Sequence, residues 1–415
     1  MKFFSLLLEQ KKYPTLLLHR DLIKHIKRGH RWIYADATKA SKDVKSSIPT
    51  GIVGVQYKNE FLGWGVYQSD SPLSLRMLCL TEEVPSKKID SSLTNVNLQN
   101  HMHVQWQKAL QVRKSVDTSH TNAFRLINGE GDGFPGLVID LYATTAVIKF
   151  DDPIFEEKIW CKKGLASQLQ SDFPFLTCIY VKRKNDQAEV GQLLYGDLAE
   201  EVEFRENNIC FSANIKAGSK TGFFLDQRDN RNLIKQFSKN KTVLNLFSYT
   251  GGFSVYAGLG GAKSVTSVDI AKPAIQALQK NFILNQLKTP TTNIAEDAFS
   301  YLTQAHSQKL KFDLVITDPP SFAPNSKSVP QAIAAYTKIF SDSLRLVQPN
   351  GLFAASSCSS HISHSQFIEL LKESFSKARL RGTLLQMGHQ PFDHPYPLAM
   401  DELRYLKFAL FRIDS

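Results

Sequence analysis

Residues 243–253 read Val-Leu-Asn-Leu-Phe-Ser-Tyr-Thr-Gly-Gly-Phe, and no other stretch limits the fold as tightly. An apolar run ends in small polar residues and two glycines, and a helix-like stretch follows over 254–259. This pattern predicts a buried parallel strand turning tightly into a helix. Gly251 and Gly252 lack the Cβ atoms that keep a ligand away from the backbone. A second strand is expected over 264–268, ending in Asp269. An acidic residue about 20 positions beyond a glycine turn suits acceptance of two ribose hydroxyls. The glycine pair alone is equally compatible with an ordinary turn. The ordered set of strand, turn, helix, strand and Asp269 points to a nucleoside-containing cofactor, and the missing G-x-G-x-x-G argues against a dinucleotide.

Strand and helix then alternate to about residue 380, which predicts a mainly parallel sheet covered on both faces. A helix from Pro273 carries Ile275, Leu278, Phe282 and Ile283 on one face. A short strand over 293–296 leads to Asp297, which suits both an adenine amine and a helix cap for 298–302. A strand over 312–317 ends in Asp318-Pro319-Pro320-Ser321-Phe322. The two prolines fix the backbone as it leaves the sheet. After a helix over 332–346, a strand over 352–356 ends in Ser357-Cys358-Ser359. Asp318 and Cys358 thus close strands joined by one right-handed crossover, at the edge where open α/β sheets bind ligands. Cys358 has a position that suits a nucleophile, whereas Cys79, Cys161, Cys178 and Cys210 lie within or beside apolar segments. Upstream, Phe223 and Phe224 are candidates to wall the cofactor site, and Gln227 to hydrogen-bond it.

The first 60 residues hold twelve Lys or Arg against five Asp or Glu, a large part of the net charge of +11. A basic region of this kind suits a polyanionic partner, and also plain solubility. Leu18, Leu22 and Ile26 recur at helical spacing beside Lys24, Lys27 and Arg28, and Gly29 offers a stop. Strands are expected over 51–55, 61–67 and 72–80, a small β-barrel-like module. Trp32 and Tyr34 suit base stacking, with core packing the competing reading for Trp32 and Trp64. Residues 83–100 read as a polar linker, and residues 104–116 as a helix. A small α+β region follows, with a glycine-rich acidic loop around Gly131-Asp132-Gly133 that suits either a ligand or a tight hairpin, and a helix over 154–168. A hairpin is expected over 203–215. The apolar run over 3–8 lacks a cleavage signal, and no stretch approaches the ~20 apolar residues of a membrane span. Five scattered cysteines without C-x-x-C fit a reducing cytoplasm rather than a disulfide framework or zinc site.

Taken together, these segments resemble the class I S-adenosylmethionine-dependent RNA methyltransferases. More narrowly, the chain resembles the bacterial large-subunit ribosomal RNA cytosine-C5 methyltransferases that join a PUA domain, a small α+β domain and the catalytic fold. The resemblance runs from about residue 14 onward. It rests on residues 220–231, 245–253, 318–322 and 357–361, with Asp393-His394-Pro395 and Tyr405-Leu406-Lys407 near the end. It implies a Rossmann-like α/β catalytic domain over 201–415, a β-barrel PUA-like domain over 1–82 and an α+β domain over 83–200.

It further implies S-adenosylmethionine bound by Phe223, Gln227, Asn245, Phe247, Tyr249 and Gly251, with Asp269 at the ribose, Asp297 at the adenine and Asp318 beside the methyl. Cys358 is then the thiolate that adds to a cytosine and Asp318 the group on its N3/N4 edge. The implied partner is 23S ribosomal RNA, with no membrane; a homodimer stays open. Ser321 stands where two-cysteine relatives carry a second Cys, so the proton-abstracting base is undefined and uracil is not excluded. Base N-methylation, or a non-catalytic RNA-binding assembly role, are the alternatives.

Overall fold

A computed structural model describes residues 3–4, 13–38, 48–83, 95–183, 191–323 and 325–414. The chain forms two compact units. One comprises Met1–Val202, Asn214–Phe223 and Asp393–Met400; the other comprises Glu203–Ala213, Phe224–Phe392 and Asp401–Ser415. Most of the 3–8 run and most of the 83–100 linker lie outside the described residues.

In the first unit, β1 (Thr15–Leu17), β2 (Trp32–Ile33), β3 (Gly51–Tyr57), β4 (Glu60–Tyr67) and β5 (Leu75–Leu80) form one sheet in the order β1-β3-β4-β5-β2. It closes over Leu16, Ile26, Val53, Val55, Leu75 and Met77. Two short helices, α1 (Ile23–Lys27) and α2 (Ala35–Thr38), accompany it. The expected helix through Leu18, Leu22 and Ile26 shrinks to α1. Pairing with β3 pulls residues 15–17 into a parallel strand, and Leu18 continues that line by donating its N–H to Gln56. Ile26 is buried, and Lys24, Lys27 and Arg28 are exposed around it.

The second sheet runs β10-β9-β8-β7-β6. It is built from β6 (Ala123–Asn128), β7 (Leu137–Tyr142), β8 (Thr145–Phe150), β9 (Cys178–Lys182) and β10 (Gln192–Gly196), with α3 (Asn95–Arg113) and α4 (Lys162–Asp172). Helix α3 begins inside the expected linker. The helix expected over 154–168 is broken: a π turn at Phe155–Ile159 ends at Trp160, whose backbone is extended, and Cys161 caps α4. Trp160 is buried against Phe4 and Phe134, and its indole N–H donates to the Pro135 carbonyl at 3.0 Å. That packing overrides helical propensity.

The acidic loop is structural. Glu130 accepts the Trp32 indole N–H at 2.7 Å, and Asp132 takes both arms of Arg113 at 2.7 and 2.6 Å. Trp32 therefore spends its polar edge internally, Trp64 is core, and Tyr34 is half-exposed. Asp393 joins the same unit, accepting the Arg125 N–H at 3.0 Å.

The second unit opens with the hairpin β11 (Val202–Glu206) and β12 (Ile209–Ala213), followed by α5 (Arg228–Phe237). Seven strands then form one sheet: β13 (Thr242–Leu246), β14 (Ser264–Asp269), β15 (Thr291–Ala295), β16 (Phe312–Thr317), β17 (Val347–Ser357), β18 (Arg381–Gly388) and β19 (Lys407–Asp414). The order is β15-β14-β13-β16-β17-β19-β18. The first five pair in parallel. Strand β19 enters antiparallel between β17 and β18, an insertion beyond the expected alternation. The crossovers are α6 (Gly252–Leu259), α7 (Lys272–Leu284), α8 (Ala298–Ser307), α9 (Val329–Leu344) and α10 (His364–Ala378). Ile275, Leu278 and Phe282 of α7 are buried, but Ile283 is 75% exposed. At 100° per residue, Ile283 points away from the side that Phe282 shares with Leu278.

One buried ion pair ties the hairpin to α5. Arg231 donates to both Glu206 oxygens at 2.8 and 2.6 Å, and to the Phe224 carbonyl at 2.9 Å. Both side chains are fully enclosed. Glu206→Gln would leave the guanidinium buried without its counter-charge, so the unfolding free energy is expected to fall by about 3–5 kcal/mol in a urea titration.

Candidate functional site

Strand β13 lies where the strand order reverses, with β14 on one side and β16 on the other. Loops leaving such neighbours diverge and open a crevice at the carboxyl edge. The turn that fills this edge is strained. Phe247, Tyr249 and Gly251 all have positive φ, at 58°, 46° and 80°. For bulky residues this is a true outlier, costing about 1–3 kcal/mol each. The Asp269 carboxylate holds the turn, accepting the Tyr249 N–H at 2.8 Å and the Ala271 N–H at 2.9 Å. Gly251 is required for packing as well as for φ: a Cβ there would meet Leu278 Cγ at 2.4 Å. Helix α7 thus restricts this position to glycine by packing.

Buried polar atoms gather around this turn. Asn245 Nδ2 donates to Ser254 Oγ at 2.8 Å, and Ser254 shares a hydrogen bond with Ser267. Among the described residues, Asn245 Oδ1, Ser248 Oγ, Thr250 Oγ1 and Thr317 Oγ1 are buried without a partner. A buried polar atom left unpaired costs about 1–3 kcal/mol, so four at one strand edge fit a polar, many-armed ligand. Asp297 follows β15, whose Ala295 pairs with Asp269. Its Oδ1 accepts the Phe299 and Ser300 N–H groups at 3.0 Å, the helix-cap reading.

The two upstream candidates separate. Phe223 belongs to the first unit, where its N–H donates to the Tyr142 hydroxyl at 3.2 Å. Phe224 is the aromatic at the turn, edge-on to Tyr249 with centroids 5.1 Å apart. Gln227 holds Asp318: Nε2 donates to Asp318 Oδ2 and to Ser356 Oγ, both at 2.9 Å. Asn230 Nδ2 fixes the Gln227 Oε1 at 2.6 Å. Both Nε2 protons are thereby committed, so in this structure Gln227 orients the Asp318 carboxylate.

Asp318 and Cys358 leave hydrogen-bonded parallel neighbours, with Thr317 paired to Ala355. Hydroxyls lace the two exits together. Ser321 Oγ and Ser359 Oγ are 2.9 Å apart, Ser359 Oγ and the Tyr336 hydroxyl 2.8 Å, and Tyr336 donates to the Pro320 carbonyl at 3.2 Å. Burial raises the pKa of Tyr336 above the usual phenol value, so it stays a neutral donor. Ser321 therefore joins the two loops rather than standing free as an acid or base. Cys358 is partly buried.

Behind the cysteine lies a cationic group that sequence reasoning missed. Lys407 is buried and donates Nζ–H to the Ser359 carbonyl at 2.6 Å and the Tyr405 carbonyl at 2.7 Å. Burial pushes its pKa down to about 8. Burial, then Arg404, Lys407 and His389, push His364 down to about 4. The available signal was a lysine opening the otherwise apolar run Phe408-Ala409-Leu410-Phe411. The buried hydroxyls Ser248, Thr250 and Thr317 were equally invisible, being ordinary turn and strand residues.

A parallel sheet with this switch point, and a strained turn with unpaired buried polar atoms at its carboxyl edge, is the arrangement of the nucleoside-cofactor-binding α/β proteins. A family model described as S-adenosylmethionine-dependent methyltransferase matches residues 174–381, and a PUA-like domain model matches residues 16–80. A ribosomal RNA large subunit methyltransferase of Deinococcus radiodurans is 33% identical over 94% of this chain and 95% of that protein. Ribosomal RNA large subunit methyltransferase I of Tolumonas auensis is 32% identical over 96% and 99%. Among solved structures, a Streptococcus mutans protein described as a SAM-dependent methyltransferase superposes with TM-score 0.81 at 26% identity, covering 96% of this chain and all of that one. A chain described as a methyltransferase complexed with SAH gives 0.80 at 27% identity, with the same coverage. The protein is thus an S-adenosylmethionine-dependent methyltransferase, and it belongs to the family of ribosomal RNA large subunit methyltransferases.

His364 sets a pH window. Its folded pKa lies below the ordinary 6.5, so between pH 6.5 and 4 the unfolded chain binds the proton more readily. Stability therefore falls on acidification through that window. The loss in urea midpoint between pH 7 and pH 4.5 is expected to be smaller in His364→Gln than in the parent.

Proposed function

We propose that this protein methylates carbon 5 of a cytosine in 23S ribosomal RNA through a covalent adduct with Cys358. The observation that carries the reading is the exit of Asp318 and Cys358 from adjacent parallel strands, beside a turn with unpaired buried polar atoms. The names of the full-length relatives support ribosomal RNA as the substrate.

S-adenosylmethionine, when bound, supplies an electrophilic methyl group. In this reading Asn245 and the 247–251 turn hold it, Asp269 meets its ribose hydroxyls, and Asp297 lies toward the adenine. Asp269 and Asp297 each already accept backbone N–H groups. Those bonds aim the carboxylates, and carboxylate oxygens have further lone pairs to offer.

Cytosine C5 is a poor nucleophile until a thiolate adds at C6. Cys358 Sγ would form that bond, and the C5=C6 electron pair would become available at C5 to take the methyl, whose bond to the donor sulfur breaks. Asp318, aimed by Gln227, faces the N3/N4 edge and in its protonated form would donate to N3, where negative charge develops. A base then takes the C5 proton, the C6–S bond breaks, and Cys358 returns to thiolate. The target base must leave its stack, at a cost of a few kcal/mol. The exposed Lys24, Lys27 and Arg28 offset part of that cost by contacting phosphates. We assign residues 1–82 to RNA binding, 83–200 to the α+β domain and 201–415 to catalysis on the same reading.

The test is mass spectrometry of nucleosides from ribosomal RNA incubated with the protein and S-adenosylmethionine. Cytidine methylated at C5 is expected; an N-methylated base, or 5-methyluridine, would replace the reading. Cys358→Ala should lower turnover to about one-thousandth or less while leaving S-adenosylmethionine affinity by calorimetry within about twofold. Full turnover by this variant would end the covalent route. Gln227→Leu removes the donor that aims Asp318, and should lower kcat about tenfold or more with KM little changed, read by steady-state kinetics.

A further inference from the structure

Lys407 carries a charge that the fold encloses and does not neutralise. Its side chain is 0% exposed. Two carbonyls accept its protons, and among the described residues no carboxylate pairs with it. An enclosed ammonium without a counter-charge is costly unless a nearby group supplies one. The placement identifies that group. Lys407 opens β19 directly opposite Ser357 of β17, and its Nζ–H reaches the carbonyl of Ser359. The Lys407 backbone thus lies across from the residue before Cys358, and its ammonium bonds the residue after it.

We infer that Lys407 is the built-in counter-ion of the Cys358 thiolate and acts on the reaction through that cysteine, as a positioning and electrostatic residue. The inference rests on the reading of Cys358 as the nucleophile.

The thiol proton passes to water, Lys407 keeps its own, and a neutral–cationic pair becomes a compensated ion pair. The thiolate is the form that attacks. The interaction is also mutual: Cys358 is the group that favours the charged form of Lys407 against its burial. His364 on α10 faces Arg404, Lys407, His389 and Asp401, and burial with the cations among them keeps its imidazole neutral near pH 7. Tyr336 on α9 also senses Cys358, and is kept neutral by burial. From the β16 side, Asp318 opposes the thiolate, and its carboxylate is already held by Gln227.

The test is the pH profile of Cys358 alkylation by iodoacetamide, read by mass spectrometry on the peptide containing that residue, in the full-length protein. The parent should show an inflection at least about one pH unit below the ordinary thiol value of ~8.5. Lys407→Met should raise it by about one unit or more, which is about tenfold slower alkylation at pH 7, while Lys407→Arg keeps it low. S-adenosylmethionine binding by calorimetry should persist in both variants, as a check of folding. A parental inflection at or above ~8.5 overturns the inference without any variant, which covers the case in which Lys407→Met does not fold. An unmoved inflection in folded Lys407→Met overturns it as well. Because alkylation needs no methyl transfer, an active Cys358→Ala enzyme would remove the nucleophile reading while leaving the ion pair to stand or fall on its own profile.

Discussion

Parallel pairing of β13 with β14 and β16 is the constraint on which the second unit depends. It makes β13 the strand from which the order runs both ways, and so forces the loops at its carboxyl end apart. Everything with chemical character in that unit leaves the sheet at this edge: the 247–251 turn, Asp269, Asp318 and the 357–359 segment. The register then sets their spacing. Thr317 beside Ala355 brings two loop exits within reach of a single hydroxyl chain through Ser321, Ser359 and Tyr336.

Stability and function oppose each other at the turn. Two aromatic residues at positive φ and four unpaired buried polar atoms are all unfavourable in isolation. They persist because the Asp269 carboxylate, the Asn245–Ser254–Ser267 network and Leu278 against Gly251 over-determine the turn. The same logic applies to Lys407, whose burial is unfavourable until a neighbour is ionised. Strain and unpaired charge thus collect on one sheet edge, while the hydroxyl lacing and the Glu206–Arg231 pair hold the surrounding scaffold.

Much of this was legible before any coordinates. Periodicity and glycine placement located β13, α6, β14 and β16 closely, because each is a buried element whose apolar pattern has one satisfactory arrangement. Asp269, Asp318 and Cys358 could be placed at strand ends for the same reason. Reading failed where a long-range partner decides the local state. Residues 15–17 became a strand because β3 offers an edge. Trp160 broke a helix because a cavity among aromatics accepts it. The acidic loop suited both a ligand and a hairpin, and only the placement of Arg113 and Trp32 against it decided for structure.

From the amino acids alone came the sheet class, its alternation of strands with helices, the polar residues at the strand ends and the family. Short-range chemistry governs these, because alternation, turn residues and capping act within a few positions of the chain. Which atoms meet was decided only by the tertiary structure. It assigned Gln227 to Asp318, separated Phe224 from Phe223, turned Ser321 into a bridge, and brought Lys407 onto the Ser359 carbonyl beside Cys358. Those pairings follow from strand register and from the insertion of β19 between β17 and β18. No local pattern encodes them, because the cost of burying a charge or a polar atom depends on what the rest of the chain places beside it.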